Sequence, residues 1–157
     1  MRSSIRISSN INETWSQSMQ YFVAYLTALL IFGIIDLVWL STMGAALYRA
    51  QLGDILLQSI RIAPAIAFYA LFPIGIVVFA IKPAIEANSI IPALLYGLLF
   101  GALSYATYDL TNFATLRNWN LQITVIDLGY GAVASAGAAA GTILLLRSLP
   151  VAFGGIR

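Results

Sequence analysis

The sequence predicts an all-α integral membrane bundle of four transmembrane helices, with a short interfacial segment after the first. Three observations carry that reading. Hydrophobic residues make up 61% of the chain and charged residues 9%, with a mean hydropathy of +0.89, whereas a soluble domain carries about a quarter charged residues. Four apolar stretches, residues 20 to 47, 61 to 81, 90 to 110 and 121 to 146, each reach the roughly 20 residues that cross about 30 Å of hydrocarbon as a helix. Charged residues gather outside these stretches or at their edge, with three aspartates, Asp36, Asp109 and Asp127, as the acids inside or at the rim. Residues 20 to 147 then form one transmembrane domain, and a 157-residue chain has no room beside it for a soluble catalytic module.

Residues 1 to 19 form a polar tail, rich in Ser and Asn, whose charges are Arg2, Arg6 and Glu13. It reads as disordered, or as an over-extended gene start with Met19 as the initiator. No small-residue cleavage pattern follows the first stretch, which marks it as a retained helix rather than a signal peptide. That stretch ends where Tyr48, Arg49 and Gln51 restore polarity, and Leu52 to Gln58 has the mixed character of an interfacial segment. In the second stretch Pro64 suits a first helical turn, whereas Pro73 at mid-depth should kink the helix and free a carbonyl.

The third stretch places Gly97, Gly101, Tyr105 and Asp109 at successive four-residue steps, with Asn112 three further on, so these residues share one slowly rotating face. In the fourth, Asp127, Gly131, Ala134, Ala138 and Gly141 lie along one side with Gly137 beside them. Small residues on such faces let a neighbouring helix come close. Gly97, Gly101, Gly131, Gly137 and Gly141 are therefore the expected packing positions, and the seams they define carry Asp109 and Asp127. Residues 148 to 157 are a C-terminal tail.

Arg2, Arg6, Lys82, Arg147 and Arg157 fall on the side of both termini, and Arg49, Arg61 and Arg117 on the other. That excess places both termini in the cytoplasm. The net charge of +2 comes without a basic stripe interleaved with aromatics, so the expected partner is the lipid bilayer and not nucleic acid. The chain has no Cys and no His, which removes thiol nucleophiles, zinc and haem sites and imidazole bases. No cofactor is expected. Any chemistry rests on Asp, Tyr, Ser, Thr and Arg.

Asp36, Asp109 and Asp127 are the candidate site. They lie late in the first stretch, at the end of the third and early in the fourth, so an antiparallel bundle brings all three toward one face of the membrane. Ionisable groups at that depth are costly and mark functional positions by default. Tyr105, Tyr108 and Asn112 are nearby hydrogen-bonding candidates, and Arg117 is the candidate counter-ion. Grouped carboxylates can hold a proton between them or ligate a hard cation. The plainer reading is that each caps a helix or accepts from Tyr and Arg. Trp39 and Trp119 read as anchors in the interfacial aromatic belt.

The motifs Asp36-Leu-Val-Trp39-Leu40, Tyr105-Ala-Thr-Tyr-Asp-Leu-Thr-Asn-Phe-Ala-Thr-Leu116, Trp119, and Val125-Ile-Asp127-Leu-Gly-Tyr-Gly131 resemble a bacterial four-span membrane protein family catalogued as domain of unknown function 2177. The resemblance covers about residues 20 to 146. Asn120 stands where that family commonly has Pro after the tryptophan, and Tyr130 where Trp is frequent. The resemblance implies four spans and a bacterial inner-membrane location. It brings no established activity, so no catalytic role comes with it.

The leading expectation is a small membrane protein whose acidic polar pocket binds or passes a small molecule, a lipid or a proton. The alternative is an accessory or assembly subunit that docks on a larger complex through its Gly/Ala seams. A lipid-modifying enzyme comes third, since His and Cys are lacking. Four spans make a thin bundle, so self-association or a larger membrane complex is expected.

Overall fold

The computed structural model describes residues 2–150 and 154–156, with side chains from residue 17 onward except at residue 54. Among the described residues there are no strands. Four helices are long and apolar enough to cross a membrane: span one, Gln17–Leu52; span two, Ile62–Glu86; span three, Ile91–Thr115; and span four, Leu121–Ser148. Span one belongs to a helix that begins at Arg2. The side chains of the expected polar tail, residues 1 to 19, lie for the most part outside the described residues. So does much of the C-terminal tail, although Ile156 N–H donates to Leu146 O at 3.0 Å and Gly154 rests on Val23 of span one.

Span four is the central helix. Half of its most apolar window is buried, against 17 to 22% in the other three spans. Its outward partners explain why: spans three and one both pack on it, and span two reaches it chiefly through residues Val77–Ile81. The outer faces of the other spans carry the large apolar side chains, such as Phe22, Leu26, Leu30 and Ile34 at four-residue steps along span one. In a bilayer those faces meet hydrocarbon, which needs no protein cover.

Two hydrophobic clusters divide the bundle. The larger holds Ala24, Ala28 and Phe32 of span one, Ile76 to Ala84 of span two, Ala93 of span three, and Ala134 to Leu146 of span four. The smaller, at the end remote from the termini, holds Leu47, Leu52, Trp119 and Ile123. The three aspartates occupy the layer between them.

Several local expectations change. Span one runs past residue 47 to Leu52, and Gly44–Arg49 within it is a π-helical turn. The interfacial segment that follows is only a turn of 3-10 helix, Gly53–Ile55, entered through Gly53 at φ 41, a left-handed conformation easy only for a residue without a Cβ. Pro64 lies in the first turn of span two. Pro73 is buried inside the helix and does not end it. The turn after it, Val77–Ile81, is π-helical. Tyr25 of span one donates to Ala70 O at 3.0 Å, next to the carbonyl that Pro73 leaves without an amide. Span two closes in a Schellman turn, with Ser89 N–H on Ala84 O, Asn88 N–H on Ile85 O, and Asn88 at φ 47.

Candidate functional site

The site is built on the antiparallel contact of spans three and four. A Cβ at Gly97 would stand 2.8 Å from Ala136 Cα, and one at Gly101 would collide with Gly131 O and come to 2.6 Å from Ser135 Oγ. One turn on, the Tyr105 ring lies over Gly131, where a Cβ would meet its ring carbons. These three contacts set a register that carries Asp109 to the level of Asp127. The two acids are close enough to interact electrostatically, and Tyr105 is within such reach of Asp36, Asp109 and Asp127.

All three carboxylates are buried: Asp36 is 5% exposed, Asp127 4% and Asp109 0%. Their surroundings differ. Asp36 accepts two hydrogen bonds, from the Tyr69 hydroxyl of span two and from the Tyr130 hydroxyl of span four at 2.8 Å. Asp127 accepts from the Tyr48 hydroxyl, which in turn accepts from Trp39 Nε1 at 3.0 Å. The Trp39 ring stacks on Tyr130 with centroids 4.1 Å apart and planes 9° from parallel. Asp36 and Asp127 are thus joined through Tyr130, Trp39 and Tyr48. Asp109 stands outside this chain, and neither of its oxygens has a hydrogen-bond partner among the described residues.

The end remote from the termini is closed by side chains. Trp119 is 6% exposed and donates to Thr124 Oγ1 at 3.2 Å, and the Tyr108 ring meets it edge-on. Asn120 caps span four by accepting from Ile123 N–H at 3.0 Å, and its amide donates to Gln51 at the end of span one. This cross-link holds the last turns of span one over the acids.

The structure brings together Asp36, Asp109, Asp127 and Tyr105. Tyr108 is largely exposed; its ring meets Trp119 edge-on, and it lies beside Asn112 within electrostatic reach of Asp109 and Asp127. Asn112 is half-buried on the turn after Asp109. Arg117 is exposed in the loop between spans three and four and forms no ion pair with any described acid; Lys82–Glu86, at 3.9 Å, is the one salt bridge among the described residues. Among the described residues no three His, Cys, Asp or Glu side chains are grouped so as to hold a metal ion. Both tryptophans have contacts inside the protein: the half-buried Trp39 donates to Tyr48 and stacks on Tyr130, and the buried Trp119 donates to Thr124.

Tyr48 and Tyr69 were missed as ligands of the acids. Both contacts cross long sequence separations, and Tyr48 reads from sequence as the polar end of a span. A tyrosine in the turn after an apolar run, with an acid at matching depth elsewhere, is the available signal. The glycine positions fall into two groups. Gly97, Gly101 and Gly131 make the seam between spans three and four, whereas Gly137 and Gly141 face span one, where an added Cβ would stand 3.7 Å from Ile35 and 3.1 Å from Ile31.

No curated protein matches this chain, and no solved structure does. The profile of the family described as "predicted membrane protein (DUF2177)" matches residues 21–144, a region that includes all three aspartates and every tyrosine bound to them. With that match over most of its length and four apolar helices of spanning length, the chain belongs to the DUF2177 family of multi-pass membrane proteins.

Proposed function

We propose that this protein takes up and releases protons at an intramembrane acid cluster centred on Asp109, with Asp127 as its partner. The observation that carries the reading is Asp109 itself, fully buried with both oxygens unpartnered. A bare carboxylate in such a place costs several kcal/mol, even after relaxation of its surroundings. A proton removes the charge without needing room. Asp127 across the seam is the acceptor for it, and the Tyr48, Trp39 and Tyr130 contacts extend the polar chain to Asp36.

Docking on a larger complex through the Gly/Ala seams loses its main support, because Gly97, Gly101 and Gly131 pack against other spans of the same chain. We take the bacterial inner membrane, with both termini cytoplasmic, as the setting, on the resemblance and the Lys/Arg distribution. The test is infrared difference spectroscopy of the full chain in lipid nanodiscs, stepped through the carboxylate and tyrosine titration range. A protonated carboxyl band that titrates in wild type and is missing in Asp109→Asn supports the reading. A spectrum that Asp109→Asn leaves unchanged refutes it.

A further inference from the structure

We infer that the acid cluster exchanges its proton with one side of the membrane only, the side remote from the termini, and that Asn112 and Thr124 are the polar side chains on the proton's way. This rests on the proton-uptake reading and gives that site a direction. A cluster so placed reads the acidity of one compartment and does not conduct protons between two. The acids lie at unequal depth from the two faces. Asp109 stands six residues before the end of span three at Thr115, and Asp127 six residues after the start of span four at Leu121, about 9 Å of helix in each case. Toward the termini, about 27 Å of span three and about 32 Å of span four remain.

The short side is polar. Asn112 is half-buried one turn beyond Asp109 and beside Tyr108. Thr124 is buried one turn before Asp127, where its hydroxyl accepts from Trp119 Nε1 and donates to Asn120 O at 3.1 Å. Asn120 donates in turn to Gln51, and Asn112, Asn120 and Gln51 all keep part of their surface open. Each acid is therefore one polar side chain away from the remote face. The titratable groups of the layer come from every span: Asp36 and Tyr48, Tyr69, Tyr105 and Tyr108, and Asp127 and Tyr130. Arg49, Arg61 and Arg117, at the remote face, are exposed and pair with no described acid.

The long side is dry. The Tyr105 ring lies on Gly131, and Gly101 and Gly97 bring the backbone of span three onto Gly131, Ser135 and Ala136. Beyond that level the buried polar side chains among the described residues are Ser135 and Thr142. Ser135 Oγ has no partner, and Thr142 Oγ1 donates to Ala138 O of its own helix at 2.8 Å. About 10 Å of helix separates the two, and Ala138 and Ala139 between them belong to the buried cluster of Ile76, Ile81, Ala93 and Ile143. A bridging water needs room and several polar partners, and these side chains supply no such partner. Release breaks the O–H bond of the Asp109 carboxyl and passes the proton to water at the remote face, and uptake reverses the step.

The test uses the full chain in phosphatidylcholine vesicles with a buffered interior and trapped pyranine. The chain has no cysteine, so Asn118→Cys in the exposed loop between spans three and four reports, through an impermeant maleimide, the fraction of chains whose remote face points outward. After an external pH step, the fraction of the Asp109 carboxyl infrared band that responds before the interior pH changes should equal that labelled fraction. Nigericin should then bring in the rest. Asn112→Leu should slow the first response by at least about tenfold at unchanged amplitude, and Ser135→Ala, on the dry side, should leave its rate as in wild type. A first response from all chains, or from the unlabelled fraction, overturns the inference. So do an unslowed Asn112→Leu and interior acidification under a potassium diffusion potential that is faster than with Asp109→Asn. In each of these cases the band still titrates, so the proton reading stands and only its direction falls; a band that stays silent even with nigericin refutes both.

Discussion

Spans three and four meet twice, in opposite ways. Near Gly97 and Gly101 the two backbones touch, because span three carries no side chain at the two positions that meet Gly131, Ser135 and Ala136. Two turns on, the same helices bring Asp109 and Asp127 to one level, and Tyr105 and Tyr130 fill the space beside them. The first contact is dry packing that tolerates no addition. The second buries charge without a basic partner. Within that acid layer the difference repeats on a smaller scale, since Asp36 has two tyrosine donors and Asp109 has none. Stability resides in the glycine level, and the capacity for exchange in the unpartnered acid.

Substitutions sharpen or break this contrast, and the largest effect belongs to the glycine level. Gly101→Leu drives a side chain into the Gly131 carbonyl, a backbone obstacle that cannot rotate away. It should lower stability by more than about 4 kcal/mol or abolish the folded protein, as read by unfolding in mixed micelles. Wild-type stability there would mean that the seam is not the one described. Asp36→Leu leaves the Tyr69 and Tyr130 hydroxyls without their acceptor and should lose about 2–4 kcal/mol.

Asp109→Leu should act in the opposite direction, raising stability by about 1–2 kcal/mol because it removes a buried charge that nothing in the protein satisfies. If both acids destabilise equally when replaced, the distinction between a paired and an unpaired carboxylate collapses. Tyr48→Phe removes one donor to Asp127 and the acceptor of Trp39, for about 1 kcal/mol and a shift in tryptophan emission. Smallest is Gly137→Ala, which meets nothing closer than Ile35 at 3.7 Å and should gain about 0.5 kcal/mol through helix propensity alone.

Much of the architecture is legible without coordinates. Hydropathy places four spans, and the four-residue repeat of Gly97, Gly101, Tyr105 and Asp109 identifies the face of span three that meets span four. The convergence of three aspartates follows from their positions in antiparallel spans. What could not be read are the partners. Tyr48 looks like the polar end of a helix, and only the π-helical continuation of span one to Leu52, tied down by Gln51 and Asn120, brings its hydroxyl onto Asp127. Arg117 has the right depth for a counter-ion but sits in an exposed loop. Trp39 has a composition suited to the membrane interface, yet the rotation of span one turns it inward onto Tyr130.

By itself, then, the sequence determined how many times the chain crosses the membrane, which faces of spans three and four can approach closely, and at which end the acids gather. These depend on local periodicity and on the energy of placing apolar or charged groups in hydrocarbon, both of which are set residue by residue. Which acid receives hydrogen bonds and which is left bare was decided only by the tertiary structure. That outcome depends on helix rotation and on the π-helical turn of span one that holds Tyr48, and a rotation of a single residue, about 100° around an α-helix, moves a hydroxyl from one neighbour to another.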